Sequence, residues 1–283
     1  MVVISPTMTD SPLASFLLPD GFARPGLATL LNETSLGPEL ARYVLRAHDQ
    51  RLSRLSRPHH RRPAHRATEP VLLVPGFLAG DWTLTLMAKT LRERGFRTYR
   101  SGITANVGCT LDAATLLESR LEEIVDRTDR RVQIVGHSLG GMLARGIAVR
   151  RPDLVSGIVT MGSPMLAPGA HHGLLSRGVE ALVALNRFGV PGVMSAECVA
   201  GSCARESFEE SREAMPDGVG FTAIYSRRDG IVDWRACVDP EGHPVEVTAS
   251  HVGMAVDPRV IDHVGAALRR QADVASTPSL RIA

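Results

Sequence analysis

From Val71 onward the chain alternates short apolar runs with longer amphipathic stretches. VLLVPGF (71–77) is a continuous apolar run of strand length, closed by proline and glycine. WTLTLMAKTLRERG (82–95) carries its apolar residues at helical spacing and stops at Gly95. FRTYRS (96–101) predicts a second strand and LDAATLLESRLEEIVDRT (111–128) a long amphipathic helix. RVQIVG (131–136) predicts a third strand, GGMLARGIAVRRP (140–152) a third helix and LVSGIVTMGSP (154–164) a fourth strand. The alternation lapses from Met165 to Asp217, then resumes with FTAIYSRRD (221–229), HPVEVTAS (243–250) and a closing helix from Pro258 to about Gln271. Strand followed by helix, repeated, predicts an α/β fold: a mostly parallel sheet with helices on both faces.

Outside this alternation lie two other segments. Residues 1–66 predict a helical arm and a basic connector. PELARYVLRAHDQRLSRL (38–55) has Leu40, Val44, Leu45 and Leu52 at helical spacing, and the prolines of RPHHRRPAHR (57–66) break the pattern. The Arg/His cluster from Arg51 to Arg66 reads as a solvated linker, or as a contact with an anionic membrane surface, a polyanion or an acidic partner. Residues 67–283 form the second unit, with an insertion at about 165–217. Within that insertion GLLSRGVEALVALNRFGV sets Leu174, Leu175, Val179, Leu182, Val183 and Leu185 on one helical face, either a lid over an apolar groove or a packing helix on the core.

The chemistry concentrates in VQIVGHSLGG (132–141). Gly136 and Gly140 flank Ser138 two residues to either side, so the backbone can turn sharply and neighbouring elements can approach the hydroxyl. A strand before and a helix after make this the G-x-S-x-G elbow that holds a serine above the carboxyl edge of a parallel sheet. A serine hydroxyl is a weak nucleophile at neutral pH and requires a base, which in turn requires an orienting acid. Both residue types follow at strand ends: Asp229 after FTAIYSRR and His251 after HPVEVTAS. Asp233 competes with Asp229, and His243 and His263 compete with His251. Asp229 is favoured by its strand-end position; His243 precedes a strand and His263 lies within the last helix. His137 is expected to pack or hydrogen-bond beneath the turn. Asn106 is a candidate for substrate contact or, as loop asparagines usually do, for satisfying turn backbone.

VLLVPGFLAG, VGHSLGGM, YSRRDGIVDW and SHVGM together resemble the α/β-hydrolase superfamily, in particular its compact bacterial lipase-like members. The four motifs span 71 to about 255 and leave the arm unexplained. The resemblance implies Ser138 as nucleophile, Asp229 as acid and His251 as base. It also implies an oxyanion hole made by the backbone N–H groups of Leu139 and Phe77, the latter in a PGF loop where many esterases carry a longer HGGG-type sequence. Met142 and Met254 are candidates for lining the site, with core packing as the alternative. The implied activity is carboxylic ester hydrolysis on a small-molecule ester or lipid. A thioesterase or acyltransferase would use the same residues on an acyl-CoA or carrier-bound donor, and a noncatalytic binding module would keep the scaffold alone.

Composition narrows this picture only a little. Lys+Arg of 32 against Asp+Glu of 30 leaves a formal charge of +2, which gives no reason to expect a nucleic-acid partner. Lys89 is the only lysine, an arginine bias expected of a GC-rich bacterial genome. The opening MVVISPTMTDSPLASFLLPDGF lacks a signal-peptide pattern, and no run approaches the roughly 18 apolar residues of a membrane span, so a cytoplasmic location is expected. No metal or organic cofactor is expected, because side chains and backbone complete the chemistry. Of Cys109, Cys198, Cys203 and Cys237, only Cys198 and Cys203 are close enough in sequence to suggest a disulfide; a reducing compartment would leave all four as thiols, and zinc-ligand spacing is lacking.

Overall fold

The computed structural model describes residues 16–56 and 69–275. Six strands form one sheet: β1 (Pro70–Val74), β2 (Arg97–Arg100), β3 (Val132–His137), β4 (Val155–Met161), β5 (Gly220–Ser226) and β6 (His243–Val247). Their spatial order is β2-β1-β3-β4-β5-β6, and every neighbouring pair is parallel. The four inner strands read as nearly unbroken apolar runs because both faces are covered. In β1, Val71 and Leu73 enter one core while Leu72 and Val74 enter the other, as period-two pleating requires.

The helices divide between those two faces. Met87 and Leu91 of α2 (Thr85–Glu93) and Val260, Ile261, Val264 and Leu268 of α8 (Pro258–Ala275) pack with Val71 and Leu73. Leu117, Leu121 and Ile124 of α3 (Thr110–Thr128) and Leu143 and Ile147 of α4 (Leu139–Arg150) pack with Leu72 and Val74. All of these side chains are nearly or fully buried. At about 1.5–3 kcal/mol per buried aliphatic side chain, these two layers supply the main driving force for the fold.

Every predicted element of the alternation is present, and the differences lie at its edges. β1 stops at Val74 because Pro75 cannot donate to the ladder, and the chain leaves the sheet there. The insertion holds three helices where one was expected: α5 (Gly173–Arg187), α6 (Ala196–Ala200) and α7 (Ser202–Glu210). The predicted arm helix is α1 (Leu36–Ser56), preceded by a 3-10 segment, Leu27–Ser35, that apolar periodicity did not reveal. α1 lies against α8, with Arg42 bonded at 2.7 Å to Asp257, the residue before that helix, and Arg46 bonded to Asp262 within it at 2.5 Å. Residues 57–66 of the basic cluster lie outside the described residues. Among the described residues, no helix is long and apolar enough to cross a membrane.

Candidate active site

The loops after β1, β3, β5 and β6 meet at the carboxyl edge of the sheet. At the β3–α4 junction Ser138 takes φ +53° and ψ −122°, a left-handed conformation that a side-chain-bearing residue adopts at a cost of roughly 1–3 kcal/mol. Its N–H is anchored to Met161 O at 2.8 Å. The turn closes because its flanking residues lack side chains. A Cβ on Gly136 would collide with Gly140 O and Gly141 Cα, and one on Gly140 with Val74 O.

Asp229 and His251 are brought together as a buried pair, His251 Nδ1 to Asp229 Oδ2 at 2.6 Å. The carboxylate only accepts, so Nδ1 carries the proton and Nε2 is the basic nitrogen. The other Asp229 oxygen accepts from Ile231 N at 2.8 Å and Val232 N at 2.7 Å, which fixes the carboxylate. Burial pushes the His251 pKa down, but the Asp229 carboxylate beside it and the charge of Glu33 outweigh that and hold it above the ordinary histidine value. Asp233 is engaged elsewhere: it accepts from Arg235 N and Ala23 N, each at 3.1 Å, capping the turn at Trp234–Cys237.

His137 lies beneath the elbow. Its Nε2 donates to His251 O at 3.0 Å, and the two rings lie 4.9 Å apart between centroids, tilted by 41°. Burial and the neighbouring His251 lower its pKa to about 3, so it is neutral and presents no competing charge to His251. Ser138 Oγ has no hydrogen-bond partner among the described residues.

A pocket of about 510 Å³ opens over Ser138, within the range of small-molecule sites. Phe77 and Leu139 share its wall with Ser138. Leu139 is the first residue of α4, where backbone N–H groups lack intrahelical acceptors, and Phe77 N–H has no acceptor among the described residues. The PGF loop is held by buried Asn106, whose Nδ2 donates to Pro75 O at 3.0 Å, whose N–H donates to Ala79 O at 2.8 Å and whose carbonyl accepts from Leu78 N at 3.0 Å. Asn106 therefore satisfies loop backbone. Met142 is on the pocket wall, but Met254 is fully buried in the core around α8, so its candidacy as a lining residue does not hold.

The remaining wall is predominantly apolar and comes from the insertion and the arm. α5 contributes Leu175 and Val179, α6 and α7 contribute Val199 and Phe208, and the arm contributes Phe16 and Leu17. All four cysteines are thiols, and Cys203 has its sulfur 3.1 Å from that of Cys109, a pairing that sequence proximity, which suggests Cys198, does not point to.

Two residues of the arm reach the site unannounced. Glu33 accepts from His251 N at 2.9 Å, Gly230 N at 3.0 Å and Val252 N at 3.1 Å, so one carboxylate ties the loop after β5 to the loop after β6. Fully buried Glu39 accepts from Ser250 N at 2.8 Å, Ser250 Oγ at 2.7 Å and Ser35 Oγ at 2.9 Å. Neither lies in a motif, and a glutamate in the first turn of a helix reads locally as a dipole partner.

No curated protein matched the chain. Among solved structures, it is similar to the mature form of the Bacillus licheniformis lipase BlEst2, with a TM-score of 0.58 at 14% identity over 75% of this chain and 96% of that one. It is also similar to the metagenomic carboxyl esterase MGS0156, with a TM-score of 0.55 at 17% identity over 77% and 79% of the respective chains. The monoacylglycerol lipase of Paleococcus ferrophilus gives 0.50 at 16% identity over 74% and 96%. At such identities the likeness establishes the fold. A family model described as "Alpha/beta hydrolase family" matches residues 71–279, nearly all of the chain that follows the arm. With most of its length covered by that model and its sheet in the matching architecture, the chain belongs to the alpha/beta hydrolase family.

Proposed function

We propose that the protein is a serine hydrolase of carboxylic esters, with Ser138 as nucleophile, His251 as general base and Asp229 as the acid that orients it. The observation that carries this reading is the buried Asp229–His251 bond at 2.6 Å, next to an elbow that holds Ser138 on a pocket wall. With Nδ1 committed to Asp229, His251 Nε2 accepts the Ser138 proton as Oγ attacks the acyl carbonyl. Asp229 stabilises the imidazolium that forms. The serine–histidine contact tightens when substrate is bound, as is common in hydrolases whose free form leaves it open. The Leu139 and Phe77 N–H groups meet the developing oxyanion, where each such donor contributes about 2.7–4 kcal/mol. The imidazolium then protonates the leaving alkoxide, and water, deprotonated by His251, releases the acid. The apolar wall from α5, α6, α7 and the arm suits a hydrocarbon acyl chain.

Hydrolysis of p-nitrophenyl esters from acetate to palmitate, with acyl-CoA substrates alongside and Ser138→Ala as control, tests the reading. Turnover should depend on Ser138 and favour acyl chains longer than acetyl. Unchanged turnover in Ser138→Ala overturns the assignment. Preference for acyl-CoA would move the reaction to a thioester, and absence of turnover and of labelling by a serine-directed phosphonate in folded protein would leave the scaffold noncatalytic.

A further inference from the structure

Three thiols, Cys198 and Cys203 from one stretch of the insertion and Cys109 about 90 positions before them, converge beside the pocket. Cys109 precedes α3, Cys198 lies in α6 and Cys203 in α7, and their sulfurs all fall within 4.8 Å of one another. Cys109 belongs to the core of the fold and the other two to the insertion. Each is only partly buried, and Cys198 lines the pocket, so a small reagent in solvent can reach them. Cys109 and Cys203 are in contact, Sγ to Sγ at 3.1 Å. Three thiols fall one donor short of the four protein ligands of a closed structural zinc site.

We propose that Cys109 and Cys203 form a thiol–disulfide site that staples the insertion to the core when a low-molecular-weight disulfide oxidises it. The two thiols are matched for unequal roles. Burial opposes ionisation of Cys109, but the backbone N–H groups of Asp112 and Leu111 in the first turn of α3, and the adjacent thiols, hold its pKa below the usual thiol value. Cys203 is pushed up to about 12 by burial and by its closeness to Cys109 and Cys198. Cys109 is thus the attacking thiolate. It displaces one thiolate from the oxidant to give a mixed disulfide. Cys203 then gives its proton to solvent base and attacks the Cys109 sulfur, expelling the second thiolate, so two protein thiols and one small disulfide become one protein disulfide and two small thiols. The link joins the loop before α3 to α7, whose Phe208 is part of the pocket wall. This site is independent of the ester-hydrolase reading, and its test needs no substrate.

The test treats the reduced full-length protein with glutathione disulfide, quenches with N-ethylmaleimide and maps peptides without reduction. We expect two of the four thiols to be lost, with a peptide pair joined through Cys109 and Cys203 that dithiothreitol separates. The pair should be absent from Cys109→Ser and Cys203→Ser and retained in Cys198→Ser. Because a serine variant could misfold, alkylation rates of the untreated wild type give a second reading: Cys109 should react before Cys203. Glutathione adducts without an internal link overturn the proposal, as does a Cys198–Cys203 link that forms equally in Cys109→Ser. So does faster alkylation of Cys203 than of Cys109, or a stoichiometric soft metal ion in chelator-free protein that shields all three thiols.

Discussion

Replacing Glu33 tests whether the arm takes part in the chemistry or only covers the fold. Its carboxylate accepts three backbone N–H bonds: Gly230 and His251 share Oε1, and Val252 bonds to Oε2. Glu33→Ala removes all three. Val252 is 45% exposed and its N–H can turn to water, but His251 is buried, so its N–H is left with poor compensation. At about 1.5–3 kcal/mol for a bond to a charged group, less what water restores, the loss is roughly 2–4 kcal/mol. For a chain of this length that lowers the melting temperature by roughly 5–10 °C. Glu33→Gln separates bonding from charge. Its amide oxygen can keep Gly230 and His251, while its amide nitrogen faces Val252 N–H, donor against donor, so one bond is lost and stability falls less.

The pH profile distinguishes positioning from cover. Asp229 and Glu33 both raise the His251 pKa, against burial and with neutral His137 at its side. A base works unprotonated, so kcat/KM falls as pH drops through that raised pKa. Removing the Glu33 charge lowers the His251 pKa, and the acid limb of kcat/KM moves to lower pH in both variants. Glu33→Ala also loosens the loops bearing Asp229 and His251, so kcat should fall by more than KM changes. A profile measured on p-nitrophenyl butyrate that is superimposable on wild type, with only the melting temperature reduced, would refute the reasoning and leave Glu33 a structural strut.

Other perturbations isolate single parts of the site. Asp229→Asn should keep the fold by circular dichroism while kcat drops about 10⁴-fold, because an amide nitrogen facing Nδ1 imposes the wrong tautomer; a loss under tenfold in steady-state kinetics would contradict the role. Asn106→Ala leaves buried Pro75 O unpaired at about 1–3 kcal/mol in urea unfolding, and should lower kcat more than it raises KM as the Phe77 N–H drifts. Gly140→Ala forces a Cβ against Val74 and Pro75, the latter at 2.6 Å from its ideal position, and should reduce melting temperature and turnover together. Arg145→Ala, remote from the pocket, strips the partner from Asp239, whose side chain is 1% exposed, and should cost about 3–5 kcal/mol with kcat retained in the folded fraction.

Where structure follows from neighbours in sequence, it is legible in the sequence. The strand runs, the glycines around Ser138 and the strand-end placement of Asp229 and His251 are local patterns with local causes: both faces of an inner strand must be apolar, and a tight strand-to-helix turn excludes side chains. Met254 shows where that legibility stops. It neighbours the His251 loop in sequence, but the 3-10 turn Val252–Ala255 directs it inward to the α8 core, and composition alone does not distinguish a pocket wall from a core. The thiols fail for a related reason. Cys198 and Cys203 are close in the chain, yet Cys109, which precedes Cys203 by 94 positions, supplies the sulfur in contact with it.

The arm is the strongest case. Glu33 and His251 are 218 positions apart, and the bond between them involves a backbone N–H, which any residue but proline offers. No choice of amino acid at 251 could announce it. The same holds for Glu39 and Ser250 N, 211 positions apart, and for Ala23 N on Asp233. Such contacts specify the partner through the path of the chain, which exists only once the sheet has formed and its strand-end loops have met. The order of dependence follows: the sheet positions the Asp229 and His251 loops, and the arm then fixes them through acceptors aimed at backbone. An arm that binds backbone donors on two loops at the carboxyl edge of the sheet can alter the geometry and charge at His251 without changing any residue of the elbow. Glu33→Gln, which preserves most of the bonding and deletes the charge, is therefore the variant in which the arm's electrostatic effect on His251 stands apart from its contribution to the fold.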